Sequence, residues 1–168
     1  MKLSVILPIY NEEGSIEELY REIKAVLAGI DFAPQNYEII AVNDGSEDKS
    51  FEILKRISQD DRSFRVINFR RNYGQTAAIS AGIDFARGEI LIPLDADLQN
   101  DPADIPKFLE KINQGFDVVS GWRKERKDAF SRRFPSRVSN ALISLITKVK
   151  LHDYGCTMKA YKRELVKD

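Results

Sequence analysis

Asp95 and Asp97 stand two residues apart at the end of the run Ile90-Leu91-Ile92-Pro93-Leu94. An apolar run of this length reads as a buried strand, and open α/β sheets bind ligands outside the carboxyl ends of their strands. Strand alternation points both carboxylates toward the same side. Two carboxylates so close repel each other unless a proton or a cation lies between them. A divalent metal carrying a diphosphate is the natural occupant, because hard oxygen ligands suit Mg²⁺ or Mn²⁺. The plainer reading is a polar strand end with two solvated aspartates, since so short a motif is common.

Two earlier apolar runs end in the same way. Tyr10-Asn11-Glu12-Glu13 closes the first and Asn43-Asp44-Gly45-Ser46 the second. In a parallel sheet these ends share one edge. Taken singly, Glu12 and Asp48 also suit a loop or a helix cap. Three acidic loops converging on one edge point instead to a site. No G-x-G-x-x-G follows the first strand, which disfavours a dinucleotide fold, and the absence of G-x-x-x-x-G-K-[ST] excludes a P-loop.

The elements that would position these loops follow from periodicity. Strands are expected over residues 3–10, 37–42, 64–69, 89–94 and 117–120, with a last short one within 156–161. Between them, Ile16, Leu19, Ile23, Val26 and Leu27 repeat at helical spacing behind Ser15-Ile16-Glu17-Glu18, which reads as a capping box, and Gly29 closes that helix. Phe51, Leu54 and Ile57 mark a second helix. Residues 75–86 form a third, with an Ala-rich face suited to close packing on the sheet. Asp101-Pro102 opens a fourth, with Ile105, Phe108, Leu109 and Ile112 on one face and Gly115 as its stop. Residues 123–133 read as a charged loop and 134–149 as an amphipathic helix. Strand and helix alternate with short connections, which predicts an α/β fold: a doubly wound, mostly parallel sheet with helices on both faces. Residues 1–168 read as a single domain. Glu164-Leu165-Val166-Lys167-Asp168 reads as part of a helix with no C-cap, so the domain is expected to be truncated at its C-terminus.

Composition narrows the classes. Lys+Arg and Asp+Glu number 26 each, so the chain lacks the basic excess of a general nucleic-acid binder. The single cysteine, Cys156, excludes an intramolecular disulfide and suits a core position in a cytosolic setting. His152, also alone, reads as structural, because one histidine makes no ligand cluster. No run reaches the ~18 apolar residues needed to cross a bilayer. Arg123-Lys124-Glu125-Arg126-Lys127 with Arg132, Arg133 and Arg137 is a local basic cluster in a neutral chain. Its plain reading is a solvated loop. Its functional reading is phosphate binding, for which arginine is suited. Phe134, Val138, Leu142, Leu145 and Val149 give the following helix an apolar face. That face would pack in the core or lie in a membrane surface with basic residues at the headgroups.

Together, Leu7-Pro8-Ile9-Tyr10-Asn11-Glu12-Glu13, Val42-Asn43-Asp44-Gly45-Ser46-Glu47-Asp48, Arg71-Asn72-Tyr73-Gly74-Gln75 and Asp95-Ala96-Asp97-Leu98-Gln99-Asn100-Asp101-Pro102 resemble a family-2 glycosyltransferase of the GT-A fold. The Asp-Ala-Asp-Leu-Gln-x-Asp-Pro form, with Gly121-Trp122-Arg123 after the fifth strand, is similar to the dolichyl-phosphate mannose synthase branch, which includes polyprenyl-phosphate glycosyltransferases. The resemblance implies roles. Pro8, Tyr10 and Glu12 would hold the base and ribose of a nucleoside-diphosphate sugar, and Asp44 would contact the base or ribose. Asp95, with Ala96 beside it, would lie near the ribose, diphosphate and metal. Asp97 and Gln99 would ligate Mg²⁺ or Mn²⁺, and Arg123 would meet the donor diphosphate. Arg132 and Ser136 match an Arg-x-x-x-Ser pattern that grips the acceptor phosphate, with Arg133 or Arg137 as substitutes. Asp153 and Lys159 fall where the family places residues near the acceptor.

The expected function is therefore inverting, metal-dependent transfer of a sugar to a polyprenyl phosphate at the cytoplasmic face of a membrane, with no nucleic-acid partner. The alternative is a hydroxyl acceptor, a polysaccharide or glycolipid, with Asp153 as base. An aspartyl-phosphate phosphatase also opens with an apolar strand and Asp-x-Asp, but there the motif is on the first strand and a Thr or Val stands where this chain has Gln99. A non-catalytic binding module would be favoured by loss of Asp95 or Asp97, and both are present.

Overall fold

The computed structural model describes residues 1–30, 36–121 and 158–166. Along the first part of the chain β1 (Leu3–Ile9), α1 (Ile16–Gly29), β2 (Tyr37–Asn43), α2 (Ser50–Asp60), β3 (Phe64–Asn68), α3 (Gln75–Phe85) and β4 (Ile90–Pro93) alternate. α4 (Ile105–Asn113), β5 (Val118–Ser120) and β6 (Lys159–Lys162) follow. The described strands form one sheet in the order β3-β2-β1-β4-β6-β5. β1 runs parallel to β2 and β4, and β2 parallel to β3. β6 is antiparallel to both of its neighbours, β4 and β5. The expected doubly wound, mostly parallel sheet is therefore present, with one reversed strand inserted beside β4.

Alternation in the central strands builds two cores. Leu3, Val5, Leu7 and Ile9 of β1, with Tyr37, Ile39 and Ala41 of β2, pack among Leu19, Ile23 and Leu27 of α1, Leu54 of α2 and Phe108 and Ile112 of α4. The opposite set, Ile6, Ile40, Val42 and Leu91, faces Ala78 and Ala86 on the α3 side. Strands buried on both faces read as continuous apolar runs, as these do. The second layer is thin because α3 lies very close to the sheet. A Cβ built at Gly82 would overlap the Ile6 Cγ2 methyl, so the expected small-residue contact is centred on this glycine.

Local structure departs from the expected helix starts and caps in three places. Ser15 is the N-cap of α1, but its hydroxyl makes no capping bond to the helix. It donates instead to the Glu12 carboxylate at 2.7 Å and the Glu12 carbonyl at 3.1 Å, so the capping box does not form. Asp101 does cap, accepting from the Ala103 amide at 2.8 Å, but a 3₁₀ turn over Pro102–Asp104 precedes α4. In the stretch Glu164–Asp168, expected to be part of a helix, Glu164 and Leu165 belong to a 3₁₀ turn, Arg163–Leu165, and residues 167–168 lie outside the described residues.

At the sheet edge formed by the strand N-termini, one polar cluster ties α1 to the start of β3. Asp61 accepts from Tyr20 Oη and Lys24 Nζ, both at 2.9 Å, and from the amide and hydroxyl of Ser63 at 2.8 and 2.7 Å. Burial pushes the Asp61 carboxyl up, but these bonds outweigh it and hold it at about 2. Among the described residues no helix is long and apolar enough to cross a membrane.

Candidate functional site

The carboxyl ends of β1, β2 and β4 meet at a cleft of about 320 Å³. Its lining includes Pro8, Tyr10 and Glu12 after β1, Asp44 after β2, Asn72, Gly74 and Gln75 at the entrance to α3, and Asp95, Ala96 and Asp97 after β4. The cleft lies beside the β1–β4 junction, where the order of strands reverses, as expected for ligand sites of open α/β sheets. A larger hollow of about 960 Å³ lies by the opposite end of β4, among Glu89, Asn113, Lys162 and Glu164, where no loop from a parallel strand's carboxyl end contributes.

The β4 ladder stops at Pro93, before the two aspartates. Burial nonetheless continues to alternate: Leu94 and Ala96 enter the core while Asp95 is half-buried and Asp97 exposed. The two buried apolar side chains anchor the turn and leave both carboxylates on the open side. Asp95 Oδ1 accepts from Gln75 Nε2 at 2.6 Å, and Oδ2 lies 3.5 Å from Asn100 Nδ2. Asp97 Oδ1 accepts from the Gln99 amide at 3.1 Å. Leu98 adopts φ +60°, a left-handed conformation that turns the chain sharply after Asp97.

Asp44 is almost fully buried, 2% exposed, yet borders the cleft. Its Oδ1 accepts from the Tyr73 amide at 2.7 Å and its Oδ2 from the Gly74 amide at 2.8 Å. Gly45 beside it has φ +67° and lies so close to the Arg71–Asn72 backbone that any Cβ would collide there. The β2 loop thus holds the loop that begins α3, and the latter forms one wall of the cleft.

The β1 loop is held from the other side. The Asn11 amide donates to Ser46 Oγ at 3.0 Å, and Asn11 Oδ1 accepts from the Glu47 amide at 2.8 Å. The Glu12 amide donates to Ser50 Oγ at 2.9 Å, and Glu13 exchanges bonds with Asp48 and the Lys49 amide. Asp48 also accepts from the Ser50 amide at 2.9 Å. Burial pushes the Asp48 carboxyl up, but hydrogen bonds from Ser50 and Glu13 outweigh it and hold it below the usual carboxylate range. Asp48, one residue before the N-cap Lys49, thus holds the entrance of α2 as a loop residue, one of the readings the sequence left open for it. Glu12, which lines the cleft, also receives the Ser15 hydroxyl.

Pro8, Tyr10, Glu12, Asp44, Asp95, Ala96 and Asp97 are thus gathered as expected. Gln99 is exposed and lies outside the cleft lining. Lys159 begins β6, in register with Ser120 at the end of β5. Arg123, Arg132, Arg133, Ser136, Arg137, His152, Asp153 and Cys156, with the helix expected over 134–149, lie outside the described residues. Ile9, Asn72, Gly74, Gln75 and Ala78 also line the cleft, and the sequence assigned them no role there. The available signal was the stretch Arg71-Asn72-Tyr73-Gly74-Gln75, which is part of the resemblance but was given no role.

The donor set fits a diphosphate-borne divalent cation. Asp95 and Asp97 offer carboxylate oxygens to one cleft. Among the described residues no three His, Cys, Asp or Glu side chains group as an all-protein cage. Mg²⁺ bound with a nucleotide needs only one or two carboxylates, the rest of its shell being phosphate and water.

Over 165 residues the chain is 46% identical to an undecaprenyl-phosphate 4-deoxy-4-formamido-L-arabinose transferase of Pseudomonas aeruginosa, covering 98% of this chain and 48% of that protein. It is 42% identical over 170 residues to a dodecaprenyl-phosphate galacturonate synthase of Rhizobium johnstonii, covering 99% of this chain and 49% of the relative. The chain therefore spans about half the length of the curated relatives it matches. Among solved structures, the glucosyl-3-phosphoglycerate synthase of Mycobacterium tuberculosis, in complex with Mn²⁺, UDP and glucosyl-3-phosphoglycerate, superposes with a TM-score of 0.73 at 21% identity, covering 98% of this chain and 57% of that one. That likeness concerns the fold, which is GT-A. The sequence model of glycosyl transferase family 2 matches residues 4–168, and the chain belongs to that family.

Proposed function

We propose that this chain is the donor-binding part of an inverting glycosyltransferase that moves a sugar from a nucleoside-diphosphate sugar to a polyprenyl phosphate at the cytoplasmic face of a membrane. The observation that carries the reading is the meeting of Asp95 and Asp97 with Pro8, Tyr10, Glu12 and Asp44 in one cleft. The names of the relatives, both transferring to or forming a polyprenyl-phosphate sugar, support the acceptor class.

In this reading Pro8, Tyr10 and Glu12 bind the base and ribose. Tyr10, 45% exposed, offers a ring face to the nucleoside. Asp44 backs the same wall: two of its four lone-pair sites hold the Tyr73 and Gly74 amides, and the others remain for the base or ribose. Asp95 and Asp97 would hold Mg²⁺ or Mn²⁺, with Gln99 next to them in the chain. When bound there, the cation would neutralise the diphosphate as it leaves. Arg123 adds positive charge at that diphosphate, and Arg132 with Ser136 receives the acceptor phosphate. A phosphate oxygen is already anionic at pH 7, so the chain need not supply a general base.

The test is the affinity of UDP, GDP, CDP and dTDP for the wild type and Asp97→Ala, each with Mn²⁺ and with chelator. One nucleotide should bind, Mn²⁺ should tighten it, and Asp97→Ala should abolish the Mn²⁺ effect. Equal affinity in all four conditions would sink the metal role. In the full-length protein, Arg132→Ala should impair transfer to a polyprenyl phosphate far more than nucleotide binding. Normal transfer by that variant would remove the acceptor assignment and favour a hydroxyl acceptor.

A further inference from the structure

We infer that Gln75 is a positioning residue: its side-chain amide fixes the orientation of the Asp95 carboxylate for the donor complex. The inference rests on the proposed donor site and adds a residue to it. Gln75 is the first residue of α3, and its Nε2 lies 2.6 Å from Asp95 Oδ1. A carboxylate only accepts, so the amide must turn its NH₂ toward Asp95.

Gln75 is itself held in place by a chain of contacts. The buried Asp44 carboxylate grips the Tyr73 and Gly74 amides immediately before it. Gly45 is pressed against the Arg71–Asn72 backbone. The Gly74 carbonyl accepts from the Ala77 and Ala78 amides, and Ala78 is buried against the sheet. The position of Gln75 is thus set by β2 and by the seating of α3. The β4 turn comes from a different part of the chain, and this bond ties it to the start of α3. Asp95 cannot swing freely while it holds. Asp97 has a backbone partner on its own turn, the Gln99 amide, so the two carboxylates are oriented by different means.

Partners of this kind orient the groups that bind a metal, and their loss costs 10–100-fold in affinity. The Gln75–Asp95 bond is at the surface of the cleft, so the low end applies. The experiment uses the nucleoside diphosphate that the wild type binds best, with Mn²⁺, and measures Mn²⁺-dependent binding by electron paramagnetic resonance and calorimetry. Four proteins are compared: wild type, Gln75→Met, Asp95→Ala and the double variant. Methionine keeps the length of glutamine and its helix preference but cannot donate. Gln75→Met should weaken the complex about tenfold, with the melting temperature unchanged. In the Asp95→Ala background the same substitution should cost nothing further, because the residue it acts through is gone.

An undiminished affinity in Gln75→Met overturns the inference. So does an equal loss from Gln75→Met in both backgrounds, which would mark a merely structural side chain. If the wild type binds none of the four nucleotides with Mn²⁺, the donor site itself fails and the inference falls with it. If the wild type binds and only the cycle is additive, the donor site stands without Gln75.

Discussion

Replacing Asp44 tests its hold on the Tyr73–Gly74 backbone apart from its proposed contact with the nucleoside. Its carboxylate is 2% exposed and accepts the Tyr73 and Gly74 amides at 2.7 and 2.8 Å. Hydrogen bonds to a charged group contribute about 1.5–3 kcal/mol each, so two amount to about 3–6 kcal/mol. Tyr73 is 55% exposed, and water can reach its amide once the carboxylate is removed. The lower end, about 3 kcal/mol, is therefore expected for Asp44→Ala. Asp44→Asn keeps one acceptor but turns its NH₂ toward the other amide, and should lose about half as much or more. The first readout is hydrogen exchange at Tyr73 and Gly74, which should speed up about 100-fold in Asp44→Ala if the loop opens locally. If the loop opens only with the whole domain, the urea midpoint falls by about 1.5 M at a slope near 2 kcal/mol per M. Nucleotide affinity falls in either case, because only the closed-loop fraction presents the wall formed by Asn72, Gly74 and Gln75. Unchanged exchange at both amides together with an unchanged urea midpoint would refute the reasoning and leave Asp44 as a ligand contact alone.

Gly82→Ala should destabilise despite the usual helix gain from alanine. The new methyl overlaps the Cγ2 of the β-branched, fully buried Ile6, and overpacking of about 1–3 kcal/mol exceeds the gain of about 1 kcal/mol. The melting temperature should drop by several degrees, whereas Gly14→Ala, whose Cβ meets nothing within 4 Å, serves as the neutral control. Acid should weaken the fold through Asp61. Its carboxyl is lowered from 3.8 to about 2 in the folded state and its side chain is only 14% exposed. A depressed folded value means the contribution, about 2 kcal/mol, is present above the unfolded value and lost as pH falls from about 4 toward 2. Urea stability measured across that window should fall less steeply in Asp61→Asn than in the wild type. Parallel curves would exclude the linkage.

The sheet and its edge were legible because their signals are local. The runs around Val5, Ile39 and Ile92 are apolar on both faces, and each parallel strand ends within two residues of its expected boundary. The loops that line the cleft were legible because polar residues followed each such run. The capping box was misread because Glu12 lies three residues before Ser15 and competes for its hydroxyl. The pattern Ser-x-x-Glu carries no record of what stands upstream. The second role of Asp44 escaped because its partners, Tyr73 and Gly74, are about 30 residues away and offer only backbone amides, which have no sequence signature. The reversal of β6 escaped for a related reason: direction depends on a long connection, and a four-residue strand has the same pattern either way round.

That reversed strand also orders events during synthesis. Among the described residues β5 reaches the rest of the sheet through β6, which lies between it and β4. When Val118–Ser120 leaves the ribosome, the strand it will pair with is still about 40 residues from being made, or several seconds at ordinary elongation rates. Until then the β4 edge that takes up Tyr161 and Lys162 stands open, while the three-stranded parallel unit β3-β2-β1 and its contacts with β4 can already assemble. Strand order thus permits a stage in which the loops that line the cleft are in place beside an unfinished sheet. A stalled or prematurely ended chain lacking residues 159–162 would expose the β4 edge to pairing with other strands.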